Sequence, residues 1–110
     1  MNISTRDAGG VAVVDVEGNL DTNTAPEAQQ HLDTLQDDGT QKILVNFTDL
    51  DYISSAGLRV LLATAKRIGA SGGSFRICGL NETVNEVFEI SGFSMILNVF
   101  GTEAEALEGL

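Results

Sequence analysis

The chain has 110 residues, 43% of them hydrophobic and 20% charged, with 16 acidic residues against 6 lysines and arginines and a formal net charge of -10. That length holds one ordinary domain with one core, and the composition excludes a disordered chain. So acidic a surface repels nucleic acid and anionic lipid and favours basic protein partners. The charge is uneven: residues 1–55 carry ten acidic and two basic residues, residues 56–110 six and four. The single cysteine, Cys78, permits no internal disulfide. With His31 as the only histidine, neither a four-cysteine zinc site nor one of paired cysteines and histidines can be assembled. No basic-plus-apolar leader appears, and no apolar run approaches the ~18 residues of a membrane span. A cytoplasmic protein without membrane insertion, metal or cofactor is the expectation.

In chain order, Asn2–Arg6 alternates weakly and Val11–Val16 is apolar, with Gly9-Gly10 between them; this predicts a hairpin whose first strand lies at an edge. Gly18–Thr24 reads as a turn-rich loop. Thr24, Pro26 and Glu27 then read as a helix start, with Glu27 closing a capping box on Thr24. Ala25, Ala28, Leu32 and Leu35 form the buried stripe of that helix. Asp37-Asp38-Gly39 ends it, and two aspartates at the negative end of the helix dipole predict a loosened last turn. Lys42–Phe47 is a short, nearly continuous apolar run, as expected of a central parallel strand.

Asp49–Ser54 reads as a loop, and from Ser55 the pattern is helical, with Leu58, Leu61, Leu62, Ala65 and Ile68 on one face and Arg59, Lys66 and Arg67 outside it. Ser74–Cys78 is another strand. Asn81 caps a helix whose apolar face is Val84, Val87, Phe88 and Ile90, stopped by Ser91-Gly92. Met95–Phe100 is a last strand, and Thr102 with Glu105 opens a last helix packed through Ala104, Ala106 and Leu107. The predicted order is ββαβαβαβα: a single α/β domain over residues 1–110, with about five strands in a mixed, mostly parallel sheet and about four helices. With so few helices, one face of the sheet is expected to be less covered than the other.

Most motifs that carry chemistry are missing. Neither GxGxxG nor a Walker A loop occurs, and Gly69–Gly73 follows a helix, the wrong end for a phosphate cradle. There is no G-x-S-x-G elbow, and neither His31 nor Cys78 has the partners a nucleophile needs. Asp15, Asp21, Asp49 and Asp51 lie near strand ends, but the receiver pattern of an early acidic pair and a late lysine is not met.

The most informative segment is Asp49-Leu50-Asp51-Tyr52-Ile53-Ser54-Ser55-Ala56-Gly57-Leu58, joining a central strand to the longest helix. Its serines fall where backbone N–H groups lack intrahelical partners, so one of them suits an N-cap. A phosphoryl group there is favoured by the dipole and by the free amides. Ala56 and Gly57 keep the patch low enough for close approach. A serine in this setting is a substrate for another enzyme, because no local base is present.

Taken with Gly18-Asn19-Leu20-Asp21, Ile43–Phe47, Gly72-Gly73, Val84–Phe88 and Ser91-Gly92-Phe93, this segment resembles the STAS domain of the bacterial anti-sigma factor antagonist family over nearly the whole chain. The resemblance implies a non-enzymatic regulator of transcription in a partner-switching signalling circuit. Such a protein, unphosphorylated, captures an anti-sigma factor with GHKL-type serine kinase activity; phosphorylation by that kinase ends binding, and a PP2C-type phosphatase restores it. The family phosphoacceptor aligns with Ser55, and Ser54, where well-known members often carry Asp, is the second candidate. The resemblance also places Asp21 on that surface; read from the residues themselves, Asp49, Asp51, Ser54, Ser55, Ala56, Gly57 and Arg59 complete the expected partner-binding surface. Two other readings stay open: a STAS signalling scaffold or lipid-transport subunit without a sigma-factor role, and a small phosphotransfer or receiver-like protein.

Overall fold

A computed structural model describes residues 1–110. The elements are β1 (Asn2–Ala8), β2 (Val11–Leu20), α1 (Ala25–Asp37), β3 (Lys42–Asn46), β4 (Leu50–Ile53), α2 (Ser55–Ala70), β5 (Ser74–Cys78), α3 (Glu82–Ile90), one 3-10 turn (Phe93–Met95), β6 (Asn98–Phe100) and α4 (Glu103–Leu107). The sheet runs β1-β2-β3-β5-β6, with β4 paired to the far end of β2. Only β1–β2 is antiparallel; every other pairing is parallel. The predicted mostly parallel α/β architecture is therefore correct, with six strands rather than five.

The hairpin forms where Gly9 and Gly10 sit, both at positive φ, as a two-residue turn of right-handed strands requires. Each central strand is buried on both faces, so residues alternate between two apolar layers. Val14, Val16, Ile43, Val45, Phe75 and Ile77 face α1, α2 and α3. Val11, Val13, Leu44 and Cys78 face the other way, towards α4. Phe47 and Phe88 are fully buried in the larger layer.

Several local expectations change. β2 does not stop at Val16: it continues to Leu20 because β4 pairs with Gly18–Leu20, after a register shift between Gly18 and Asn19. The expected loop at Asp49–Ser54 therefore contains a strand, hidden because Leu50 and Ile53 are buried while Asp51 and Tyr52 are exposed, a spacing that does not alternate. The last strand is shorter than Met95–Phe100. Gly92, at φ 78, reverses the chain into the 3-10 turn, and only Asn98–Phe100 reaches β5.

Thr24 occupies the N-cap position of α1 without a capping bond. Its hydroxyl is engaged upstream instead, donating to the Asn19 carbonyl at 2.8 Å and accepting from Asp21 N at 2.9 Å. Helical geometry persists to Asp37 because Arg67 of α2 pairs with Asp33 and Asp37, supplying the cation that the last turn of α1 lacks. On α2 the buried stripe is Gly57, Leu58, Val60, Leu61, Thr64 and Ile68, so Leu62 and Ala65 fall at its margin. Ile90 and Ala104, expected to pack, are exposed. The predicted caps at Asn81 and Thr102 form, accepting from Val84 N and Glu105 N.

Candidate functional site

The site is assembled at the carboxyl ends of β2 and β4, where α2 begins. Ser54 N donates to Leu20 O at 2.9 Å, fixing the strand-to-helix corner against the neighbouring strand. Ser54 is the N-cap in extended conformation, and its carbonyl accepts the first bond of the helix from Leu58 N at 3.0 Å. The N–H groups of Ser55, Ala56 and Gly57 thus have no intrahelical partner.

The two serines differ. The Ser54 hydroxyl is buried and unpartnered, and makes no cap bond. Ser55, the first helical residue, is exposed. Ser55 is therefore the serine open to solvent, whereas the Ser54 hydroxyl is enclosed in the corner.

Gly57 sets how closely this corner is seated. A Cβ there would lie 2.8 Å from the side chains of Leu20 and Ile53 and 2.9 Å from Leu20 O. The first turn of α2 therefore rests directly on the ends of β2 and β4, as only glycine allows. Ala56 is half-buried beside it.

The surrounding carboxylates are placed unequally. Asp21 is half-buried, and its Oδ1 accepts from Asn23 N at 2.9 Å and Thr24 N at 3.2 Å, so it organises the β2–α1 loop. Asp49 and Asp51 are exposed on either side of Leu50. Asp15 is absent from this rim; it is bonded to Arg6 on the α4 face, so the acidic cluster a receiver needs is not assembled. Arg59 is exposed, four residues after Ser55 and so on the same side of α2, and makes no ion pair within the chain.

Two further residues belong to the rim. Tyr52, the only tyrosine, is 47% exposed between Asp51 and the corner. Asn81 uses both ends of its amide: Oδ1 caps α3, and Nδ2 donates to Leu50 O at 2.8 Å, tying α3 to β4. The sequence signalled Asn81 as a cap but not its second bond, which requires knowing that β4 exists.

The histidine and the cysteine lie outside the corner. His31 is bonded to Thr5 of β1. Cys78 is buried, and burial, then the charges of Glu103 and Asp15, push its thiol up to about 11. What the arrangement offers is an exposed hydroxyl beside free amides, inside an acidic rim.

Comparison with known proteins agrees with this geometry. The family model of the STAS domain matches residues 2–106. An anti-sigma-B factor antagonist of Staphylococcus aureus (strain NCTC 8325 / PS 47) is 33% identical over 106 residues, covering 96% of this chain and 98% of its own. The crystal structure of a putative anti-sigma factor antagonist from Thermotoga maritima superimposes with a TM-score of 0.91 at 25% identity, covering 96% of this chain and 92% of that one. The Bacillus cell fate determinant SpoIIAA in its phosphorylated form shares the fold, with a TM-score of 0.74 at 22% identity over 97% of each chain. No helix is long and apolar enough to cross a membrane.

Proposed function

The chain belongs to the STAS domain family, and from that premise we propose that it is an anti-sigma factor antagonist switched by phosphorylation of Ser55. The observation that carries this reading is the asymmetry of the two serines: Ser55 is exposed on the first turn of α2, while the Ser54 hydroxyl is enclosed. The name of the Staphylococcus relative supplies the partner class, an anti-sigma factor. In this proposal the partner is also a GHKL-type serine kinase, and a PP2C-type phosphatase reverses its action. The chain is their substrate and binding partner, not an enzyme.

Binding uses the exposed Ser55 and the half-buried Ala56, rimmed by Asp21, Asp49 and Asp51, with Arg59 answering an acidic group of the partner; Ser54 and Gly57, expected at that surface, shape it from beneath, the one with its hydroxyl enclosed and the other buried. A phosphate adds about -1.5 to -2 charge at neutral pH. The free amides of the first turn favour that charge locally. A partner surface fitted to a bare hydroxyl loses binding, because the phosphate is bulky, costly to desolvate and repels the acidic group that Arg59 answers.

Incubation with a cognate kinase and ATP, followed by mass mapping, is expected to place phosphate on Ser55 alone. Ser55→Asp is expected to weaken anti-sigma factor binding at least ~10-fold in calorimetry, and Ser55→Ala to retain it. Label on neither serine, or equal affinities of both variants and the parent, contradicts the switch.

A further inference from the structure

α4 is only five residues long, yet it is the one helix that covers Val11, Val13, Leu44 and Cys78. A helix of that length has no stability of its own. Its apolar anchor is modest: Ala106 is its only buried residue, with Leu107 and Leu110 half-buried against the same cluster. Two arginines hold it at opposite ends.

At the start of α4, the Glu103 carboxylate accepts from Arg6 of β1 and, at 3.0 Å, from Asn46 of β3. Arg6 also forks onto both carboxylate oxygens of Asp15 at 2.7 and 3.0 Å, which fixes its guanidinium in place. At the other end, Arg76 of β5 donates to the Ala106 carbonyl at 3.0 Å and the Glu108 carbonyl at 2.6 Å. Its guanidinium also lies 5.1 Å from the Phe100 ring centre. The clasps are thus charge-assisted hydrogen bonds, with the Arg6 side chain 47% and Glu103 30% open to solvent. No residue of α4 contributes to the larger core under α1, α2 and α3.

We infer that α4 and the tail after it form a releasable latch, clasped by Arg6 and Arg76, whose opening uncovers the apolar strip Val11, Val13 and Leu44 and the Cys78 thiol while the three-helix side of the sheet stays packed. Opening breaks a few directional bonds and disrupts a cluster of five buried residues while the cluster of 20 stays packed, so it lies below global unfolding. The latch lies across the sheet from the main helical layer and does not rest on the proposed role of Ser55.

The test uses the full chain and its one cysteine. Labelling by excess 5,5′-dithiobis(2-nitrobenzoate) at pH 8, with urea kept below the unfolding transition, reports each opening. The parent is expected to label slowly, with a urea dependence well below that of global unfolding, because local opening exposes only a fraction of the surface. Glu103→Gln and Arg76→Gln are each expected to accelerate labelling about 5- to 10-fold with the far-ultraviolet circular dichroism unchanged. Hydrogen exchange should rise in residues 102–110 and not in α2. Variants that label at the parent rate, or an acceleration that carries the urea slope of global unfolding, overturn the latch.

Discussion

On one face of the sheet, α1, α2 and α3 close over a cluster of 20 buried residues that includes Phe47 and Phe88; on the other, α4 closes over a cluster of five and is held by Arg6, Arg76 and Asn46. The first face is stabilised by area removed from water, at ~1.5–3 kcal/mol for each large apolar side chain. The second has a small apolar cluster and depends more on a few directional bonds at the ends of α4. Area is insensitive to any one polar contact, and a clasp is not. Denaturant, salt and acid should therefore act on the two faces differently.

The largest effect should come from the first face. Phe88→Ala, at a fully buried position, is expected to cost ~3–5 kcal/mol in urea unfolding. A loss below about 1 kcal/mol would show that α3 is not part of the cooperative core.

Gly57→Ala is the next test. Helix propensity alone would favour alanine by ~1 kcal/mol. The new methyl, however, meets a backbone oxygen at 2.9 Å as well as two side chains, and overpacking of this kind costs ~1–3 kcal/mol. A net loss of ~1–2 kcal/mol is expected, together with slower phosphorylation of Ser55 as the helix start is displaced. A stabilised variant that is phosphorylated at the parent rate would show that the close seat has no role.

The smallest effect concerns the second face and pH. The hydrogen bond from Arg6 comes first, with a smaller one from Asn46, and together they hold the Glu103 carboxyl below the usual glutamate range. A carboxyl lowered in the folded state stabilises fully above its unfolded value, and that contribution fades as pH falls through the folded value. Urea midpoints of the parent should therefore drop more steeply with acid than those of Glu103→Gln. Parallel pH profiles would remove Glu103 from the account.

Much of this was legible in the sequence where one residue answers one local need. The caps at Asn81 and Thr102, the hairpin at Gly9-Gly10 and the corner at Ser54-Ser55 each depend on residues within a few positions. β4 was not legible, because its partner is the far end of β2, about thirty residues earlier, and nothing in Leu50–Ile53 alternates. The capping box on α1 failed for a similar reason: Asn19 and Asp21 claim the Thr24 hydroxyl. Ile90 fitted the helical period but lies on the last residue of α3, where the chain turns away, and is 87% exposed. At the site, the family resemblance singled out Ser55, but adjacent serines before a helix read alike by pattern, and that the Ser54 hydroxyl is enclosed became visible only in the fold. Arg6 and Arg76 carried no local signal because their partners at α4 lie 97 and about thirty residues away in the chain.

The two outer strands have a consequence for how copies of this protein meet. β1 borders the sheet with Arg6 and Asp7 exposed along it, and β6 borders the opposite side with only three residues. A charged border and a stunted one give a neighbouring chain little to extend a sheet from. Together with a net charge of -10, they disfavour strand-by-strand association through these two borders.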